Sequence, residues 1–137
     1  MRVVLDTNVM VSAVFFGGVP GRILSAWSAG KIALVLSPAI LEEYRRVGHE
    51  LGRKRPDVSE TFEPLLTIIT MSAMIVDAPP LVDAVSEDPD DDKFLAAAVA
   101  SASQLIVSGD RHLLRVSGWR GIDVLTPRQF VDRFLAG

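Results

Sequence analysis

Cysteine is absent from the 137-residue sequence, and histidine occurs only twice, at His49 and His112. No thiol is available for nucleophilic catalysis, disulfide bonding or tetrahedral zinc binding, and two imidazoles cannot build a histidine-rich metal centre. The missing cysteine also fits a reducing compartment. An excess of positive charge is missing as well: 14 Lys and Arg stand against 17 Asp and Glu, for a net charge of −3. That balance argues against holding nucleic acid by bulk charge alone, although it leaves a nuclease open. Long hydrophobic runs are also lacking. The longest, Leu65 to Val76, is diluted by Thr67, Thr70 and Ser72 and falls short of the roughly 20 residues that span a bilayer, so it is expected to be core. The N-terminal stretch Met1-Arg2-Val3-Val4-Leu5-Asp6 reaches a carboxylate before a signal-type apolar segment is complete, which predicts a cytoplasmic rather than a secreted or membrane protein.

What is present suffices for one globular domain over residues 1–137. Apolar residues make up 49% of the chain, and a domain near this size buries roughly two thirds of its unfolded surface. Pro79-Pro80 is the single internal break, and neither flank carries enough strands to close a sheet alone. Short runs rich in Val, Ile and Leu alternate with helix-period segments, the pattern of an α/β domain with a mainly parallel sheet. Strands are expected at Arg2–Leu5, Ile32–Leu36, Leu105–Val107 and Ile122–Leu125. Helices are expected at Pro20–Ala29, at Pro38–Leu51 with Ser37 as N-cap and Gly52 as terminator, at Asp57–Ala73, from the acid cluster onward, at Arg111–Val116 and from Thr126-Pro127 through Phe130, Val131, Phe134 and Leu135. Phe15-Phe16-Gly17-Gly18 reads as a flexible loop near Asp6, and Trp27 and Trp119 as packing residues.

The acids are unevenly placed. Asp6 follows the first strand and Asp110 follows Leu105-Ile106-Val107, so both stand at the carboxyl ends of strands, where open α/β sheets bind ligands. Either also suits a plain helix N-cap. Glu87, Asp88, Asp90, Asp91 and Asp92 crowd into six positions before an apolar helix, more acids than a helix dipole rewards. Phe94, Leu95 and Ala98 lie three, four and seven residues beyond Asp91, which aims Asp91 inward and Asp90 outward, with Asp92 as the rival for an inward position. In the helix from Pro38, Glu43 borders the apolar face of Ile40, Leu41, Tyr44 and Val47, while Glu42 turns away. Several inward carboxylates in one crevice repel each other, and a divalent cation relieves that repulsion. An oxygen-only donor set suits Mg²⁺ or Mn²⁺ rather than Zn²⁺, and phosphodiester hydrolysis is the chemistry such a centre serves.

Four blocks occur in order along the chain: Leu5-Asp6-Thr7-Asn8, Ser37-Pro38 leading to Glu43, Asp88-Pro89-Asp90-Asp91-Asp92-Lys93-Phe94-Leu95, and Val107-Ser108-Gly109-Asp110-Arg111-His112-Leu113-Leu114. Together they resemble the PIN-domain proteins of the VapC-like toxin ribonuclease type. That resemblance implies a three-layer α/β/α fold with a central, mainly parallel sheet. It implies a Mg²⁺-dependent endoribonuclease cutting single-stranded RNA, with Mn²⁺ able to substitute, that acts as the toxin of a type II toxin–antitoxin pair. Asp6, Glu43, Asp91 and Asp110 would be the catalytic and metal-binding acids, and Asn8 and Ser108 their polar support. Among the three successive aspartates, Asp91 is preferred because the family places an apolar residue three positions later, here Phe94; Asp92 and Asp88 are the second choices. The resemblance also implies a homodimer and a cognate antitoxin protein.

Arg111, His112 and Arg115 are the basic residues placed to meet RNA phosphates near Asp110, while Arg45, Arg46, Arg53, Lys54 and Arg55 read as a solvated face. Two other functions compete. A receiver or haloacid-type phosphatase also uses an acidic Mg²⁺ pocket, but Asn8 stands where the phosphatase needs a second Asp, and no Lys follows a late strand. An acidic binding module without turnover would take a basic partner segment into the same crevice.

Overall fold

The computed structural model describes residues 1–135. Strand β1 (Arg2–Leu5) lies in the middle of a wholly parallel five-stranded sheet, flanked by β2 (Ala33–Leu36) and β4 (Leu105–Val107), with β3 (Met74–Ile75) and β5 (Asp123–Leu125) at the edges. Val3 pairs with Leu34 on one side and Leu105 on the other, and Val4 with Val35 and Ile106. Both faces of these strands are covered, which is why they read as unbroken apolar runs: Val3, Val4, Val35, Ile106 and Val107 expose nothing.

The covering helices are α1 (Thr7–Phe15), α2 (Gly18–Ser28), α3 (Pro38–Lys54), α4 (Pro56–Ser72), α5 (Asp92–Ser101), α6 (Arg111–Arg115) and α7 (Pro127–Phe130), the last continued by a π-type turn at Val131–Leu135. Helix α5 packs across β1, β2 and β4, while α1 packs on α2 and α3, and α3 on α4. Sheet and helices together form the three-layer α/β/α fold. Among the described residues no single helix is long and apolar enough to cross a membrane.

The strand order β3-β2-β1-β4-β5 positions the crevice. From β1 the chain builds outward to β2 and β3, then returns to the other flank of β1 for β4 and β5. Crossovers thus leave β1 and β4 in opposite directions, and the gap beyond their carboxyl ends is where open sheets of this type bind ligands. Asp6 and the segment Ser108–Asp110 follow those two ends directly.

Several expectations need correction. Gly52 does not end α3, which continues to Lys54. Gly48 and Gly52 instead let α4 approach: a Cβ on Gly48 would lie 2.1 Å from the Phe62 ring, and one on Gly52 2.8 Å from Ser59 Cβ. Residues 7–15 form a helix that periodicity did not reveal, because α1 is apolar nearly all round, with Val9, Met10, Val11, Ala13 and Phe15 buried. Phe15 is therefore no part of a flexible loop; it packs against Phe62 with ring centroids 5.6 Å apart. Gly17 and Gly18, both at positive φ, make the turn that sets α1 and α2 at 93°. The run Leu65–Val76 is only half core. Leu66 and Ile69 are buried, Ile68, Met71 and Ile75 are exposed, and its end is the unforeseen edge strand β3. Trp27 and Trp119 pack against the core as expected.

Candidate active site

Asp6 is the N-cap residue of α1, yet its carboxylate makes no cap hydrogen bond. It turns instead toward β4, where Oδ2 accepts the Ser108 hydroxyl at 2.5 Å, and its backbone N–H is tied to the Val107 carbonyl at 2.9 Å. Only 5% of Asp6 is exposed. Burial raises its pKa above 3.8, the Ser108 hydrogen bond opposes the rise, and the Asp110 and Glu43 charges add to it. Ser108 is fully buried and also accepts the Asp110 N–H, so one hydroxyl organises both strand-end acids.

Asp110 caps a helix and also faces the other acids. Its Oδ1 accepts the His112 N–H at 2.7 Å, opening α6, while its charge acts on Asp6 and Asp91. Asp91 ends a 3₁₀ turn (Pro89–Asp91) and precedes α5 without capping it. It is 8% exposed, and its Oδ2 is buried with no hydrogen-bond partner. Burial, and then the charges of Asp110, Asp6 and Asp88, push its pKa up to about 7. An unpartnered buried carboxylate oxygen facing two other acids is a costly arrangement for any folded chain.

The rival aspartates serve structure. Asp92 clamps the preceding loop through Val85 N–H and Ser86 N–H, both at 2.9 Å, leaving neither carboxylate oxygen idle. Asp88 is exposed and caps the 3₁₀ turn through Asp90 N–H. Asp90 is 71% exposed, as its helical phase predicted.

Glu43 reaches the crevice from α3, and its side chain is 13% exposed, whereas Glu42 lies on the surface. Its two oxygens are already taken: Oε1 by Lys93 Nζ at 2.8 Å and Oε2 by the Thr7 hydroxyl. Beneath it Tyr44, fully buried, donates its hydroxyl to the Leu5 carbonyl and so pins α3 to the end of β1. Burial, with the charges of Asp6 and Glu43, holds the Tyr44 phenol protonated well above its ordinary range. Asp6, Asp91 and Asp110 thus share one crevice with Glu43 at its wall. Among the described residues no three acidic or imidazole groups form a ready-made metal cage.

The structure adds Thr7 and Lys93 to the acids as contacts of Glu43, and gives Tyr44, expected on the apolar face of α3, a hydroxyl contact to the end of β1. Asn8, expected to support the acids, is exposed, and its neighbour Thr7 makes the contact instead. Of the basic group after Asp110, Arg111 is exposed, Arg115 Nη1 pairs with Glu87 Oε1 at 3.0 Å, and His112 Nδ1 lies 3.1 Å from Glu87 Oε2. Arg45 and Arg55 form surface pairs with Glu63 and Asp57.

A family model described as PIN domain matches residues 2–112, a span that contains all four acids. The uncharacterized protein MJ1680 of Methanocaldococcus jannaschii is 30% identical over 145 residues, covering 98% of this chain and 92% of that protein. Among solved structures, VapBC2 from Rickettsia felis, crystallised with a DNA fragment from its promoter, is similar with a TM-score of 0.60 and 15% identity. The match covers 92% of this chain and 98% of that one, and the likeness is one of fold.

Proposed function

The chain belongs to the PIN-domain family, and on that footing we propose that it is a divalent-cation-dependent endoribonuclease acting on single-stranded RNA, the toxin of a toxin–antitoxin pair. The observation that carries this reading is Asp91: a nearly buried carboxylate, one oxygen without a partner, facing Asp6 and Asp110 at the switch point of a parallel sheet. The donor set fits a hard cation, since every candidate ligand is a carboxylate oxygen and Asp91 Oδ2 is buried with no hydrogen-bond partner. Asp6, Asp91 and Asp110 would hold Mg²⁺ or Mn²⁺, with Glu43 completing the set. A cation bound there supplies the charge that polarises a phosphodiester and stabilises the departing oxygen.

The chain's own groups do the rest. Ser108 fixes the rotamer of Asp6 and the backbone of Asp110 with one hydroxyl. Tyr44 and Thr7 set the distance of α3, and hence of Glu43, from the end of β1. Exposed Arg111, beside Asp110, offers a charge for the RNA backbone, whereas Arg115 must first give up Glu87. The fold likeness to a VapBC complex supports an antitoxin partner, and a homodimer belongs to the same reading.

Purified full-length chain incubated with single-stranded RNA should cleave it in Mg²⁺ and stop in EDTA. Asp6→Asn and Asp91→Asn should each abolish cleavage. Metal-dependent cleavage that survives both substitutions overturns the assignment of the site, and cation binding without turnover on any RNA leaves a binding module instead.

A further inference from the structure

Glu43 differs from the other three acids in already having a positive partner. Lys93 Nζ lies 2.8 Å from its Oε1, and the two side chains are 18% and 13% exposed, so this is a largely desolvated pair. The second contact of Lys93, to Asp90 Oδ1 at 3.2 Å, is with an exposed neighbour one turn away on the same segment. Arg46 stands 3.7 Å from Glu43 but is 60% exposed and free to leave. The Lys93 stem begins in the first turn of α5, two residues beyond Asp91, and its ammonium reaches Glu43 on α3. Sequence spacing makes this possible, because Asp91 and Lys93 leave the helix start in different directions.

We propose that Lys93 is a positioning residue and placeholder cation: it holds Glu43 at the crevice wall when no divalent ion is bound, and it competes with that ion for Glu43 Oε1. The inference rests on reading the crevice as a divalent-cation site. Without a positive charge there, a fourth carboxylate would join three that already repel one another, and α3 would be pushed from the end of β1. For Glu43 to serve as a ligand, Oε1 must release the ammonium, so cation affinity is set below what the four acids alone would give. The Thr7 hydroxyl on Oε2 keeps the carboxylate in place during that exchange.

The test is a double-mutant cycle on the full chain with Lys93→Met, Glu43→Gln and the pair, with Lys93→Arg as the charge-conserving control. Two quantities are measured: Tm in EDTA and Mn²⁺ affinity by titration calorimetry. In EDTA, Lys93→Met should lower Tm, and the loss should vanish in the Glu43→Gln background. In Mn²⁺, Lys93→Met should bind about fivefold more tightly, Lys93→Arg like the wild type, and the gain should disappear when Glu43 is Gln. Unchanged or weaker Mn²⁺ binding by Lys93→Met, or an effect that persists without Glu43, overturns the proposal while leaving the proposed function intact. Wild-type protein that takes up no Mn²⁺ overturns both.

Discussion

Ser108 and Asp6 are 102 positions apart in the chain, yet the Ser108 hydroxyl lies 2.5 Å from Asp6 Oδ2, both buried where β1 and β4 end side by side. The bond exists because parallel pairing sets Leu5 against Val107, so the next residue of each strand enters the same crevice. It opposes the pKa rise that burial imposes on Asp6.

Replacing Ser108 by Ala should therefore leave a buried carboxylate without its donor. The expected cost is about 1–3 kcal/mol in stability, with an RNA cleavage rate lower by about tenfold and its acidic limb moved to higher pH. Urea denaturation and a pH–rate profile measure these, and Ser108→Thr should restore both. An unmoved acidic limb in Ser108→Ala would show that Asp6 does not govern it.

Asp91 makes stability in EDTA depend on pH. Its carboxyl titrates at about 7 in the folded chain against an ordinary 3.8, so between those values the folded state holds a proton that the unfolded state has released. Stability should fall as pH rises through that window and level off above it. Asp91→Asn should flatten the slope and gain about 2 kcal/mol at pH 8 in EDTA, while losing Mn²⁺ affinity. Tm against pH for the two proteins is the measurement, and parallel curves would contradict the placement of Asp91 among the acids.

Asp92 gives the opposite result. Asp92→Ala removes the clamp on the Val85 and Ser86 amides and should speed their hydrogen exchange, with a stability loss of about 1–2 kcal/mol. Mn²⁺ affinity should stay within about twofold of wild type, since neither Asp92 oxygen faces the crevice. Calorimetry on both aspartate variants separates the neighbours, and equal losses of affinity would contradict this division of labour.

The α3–α4 contact should tolerate no side chain at Gly48. Gly48→Ala places a Cβ 2.1 Å from the Phe62 ring and should cost about 2–3 kcal/mol by chemical denaturation. Phe62→Leu in the same chain should recover part of the loss. A neutral Gly48→Ala would mean that α4 shifts freely on α3.

The blocks around Asp6, Glu43, Asp91 and Asp110 were legible because strand ends and helical phase are local properties. Burial of Asp91 and exposure of Asp90 follow from the apolar stripe of the helix they lead into, and the alternation of apolar runs with helix-period segments points to a parallel sheet. Helix α1 was missed because an element apolar on all sides has no period, and β3 because two residues carry no pattern. Gly52 misled for a different reason. Glycine at a helix end and glycine beneath a crossing helix are the same letter, and only the position of Ser59 distinguishes them.

From the sequence alone follow the fold class, the family blocks and the hardness of the donor set, since each depends on residue type and spacing along the chain. Which aspartate of the run is left unpartnered, which hydroxyl supports Asp6, and which cation occupies Glu43 were decided by the tertiary structure. Those pairings join residues from 36 to 102 positions apart, and the strand order and the packing of α3 and α5 bring them within hydrogen-bond distance. No local propensity encodes such a distance, because it is fixed by crossovers between elements rather than by the elements themselves.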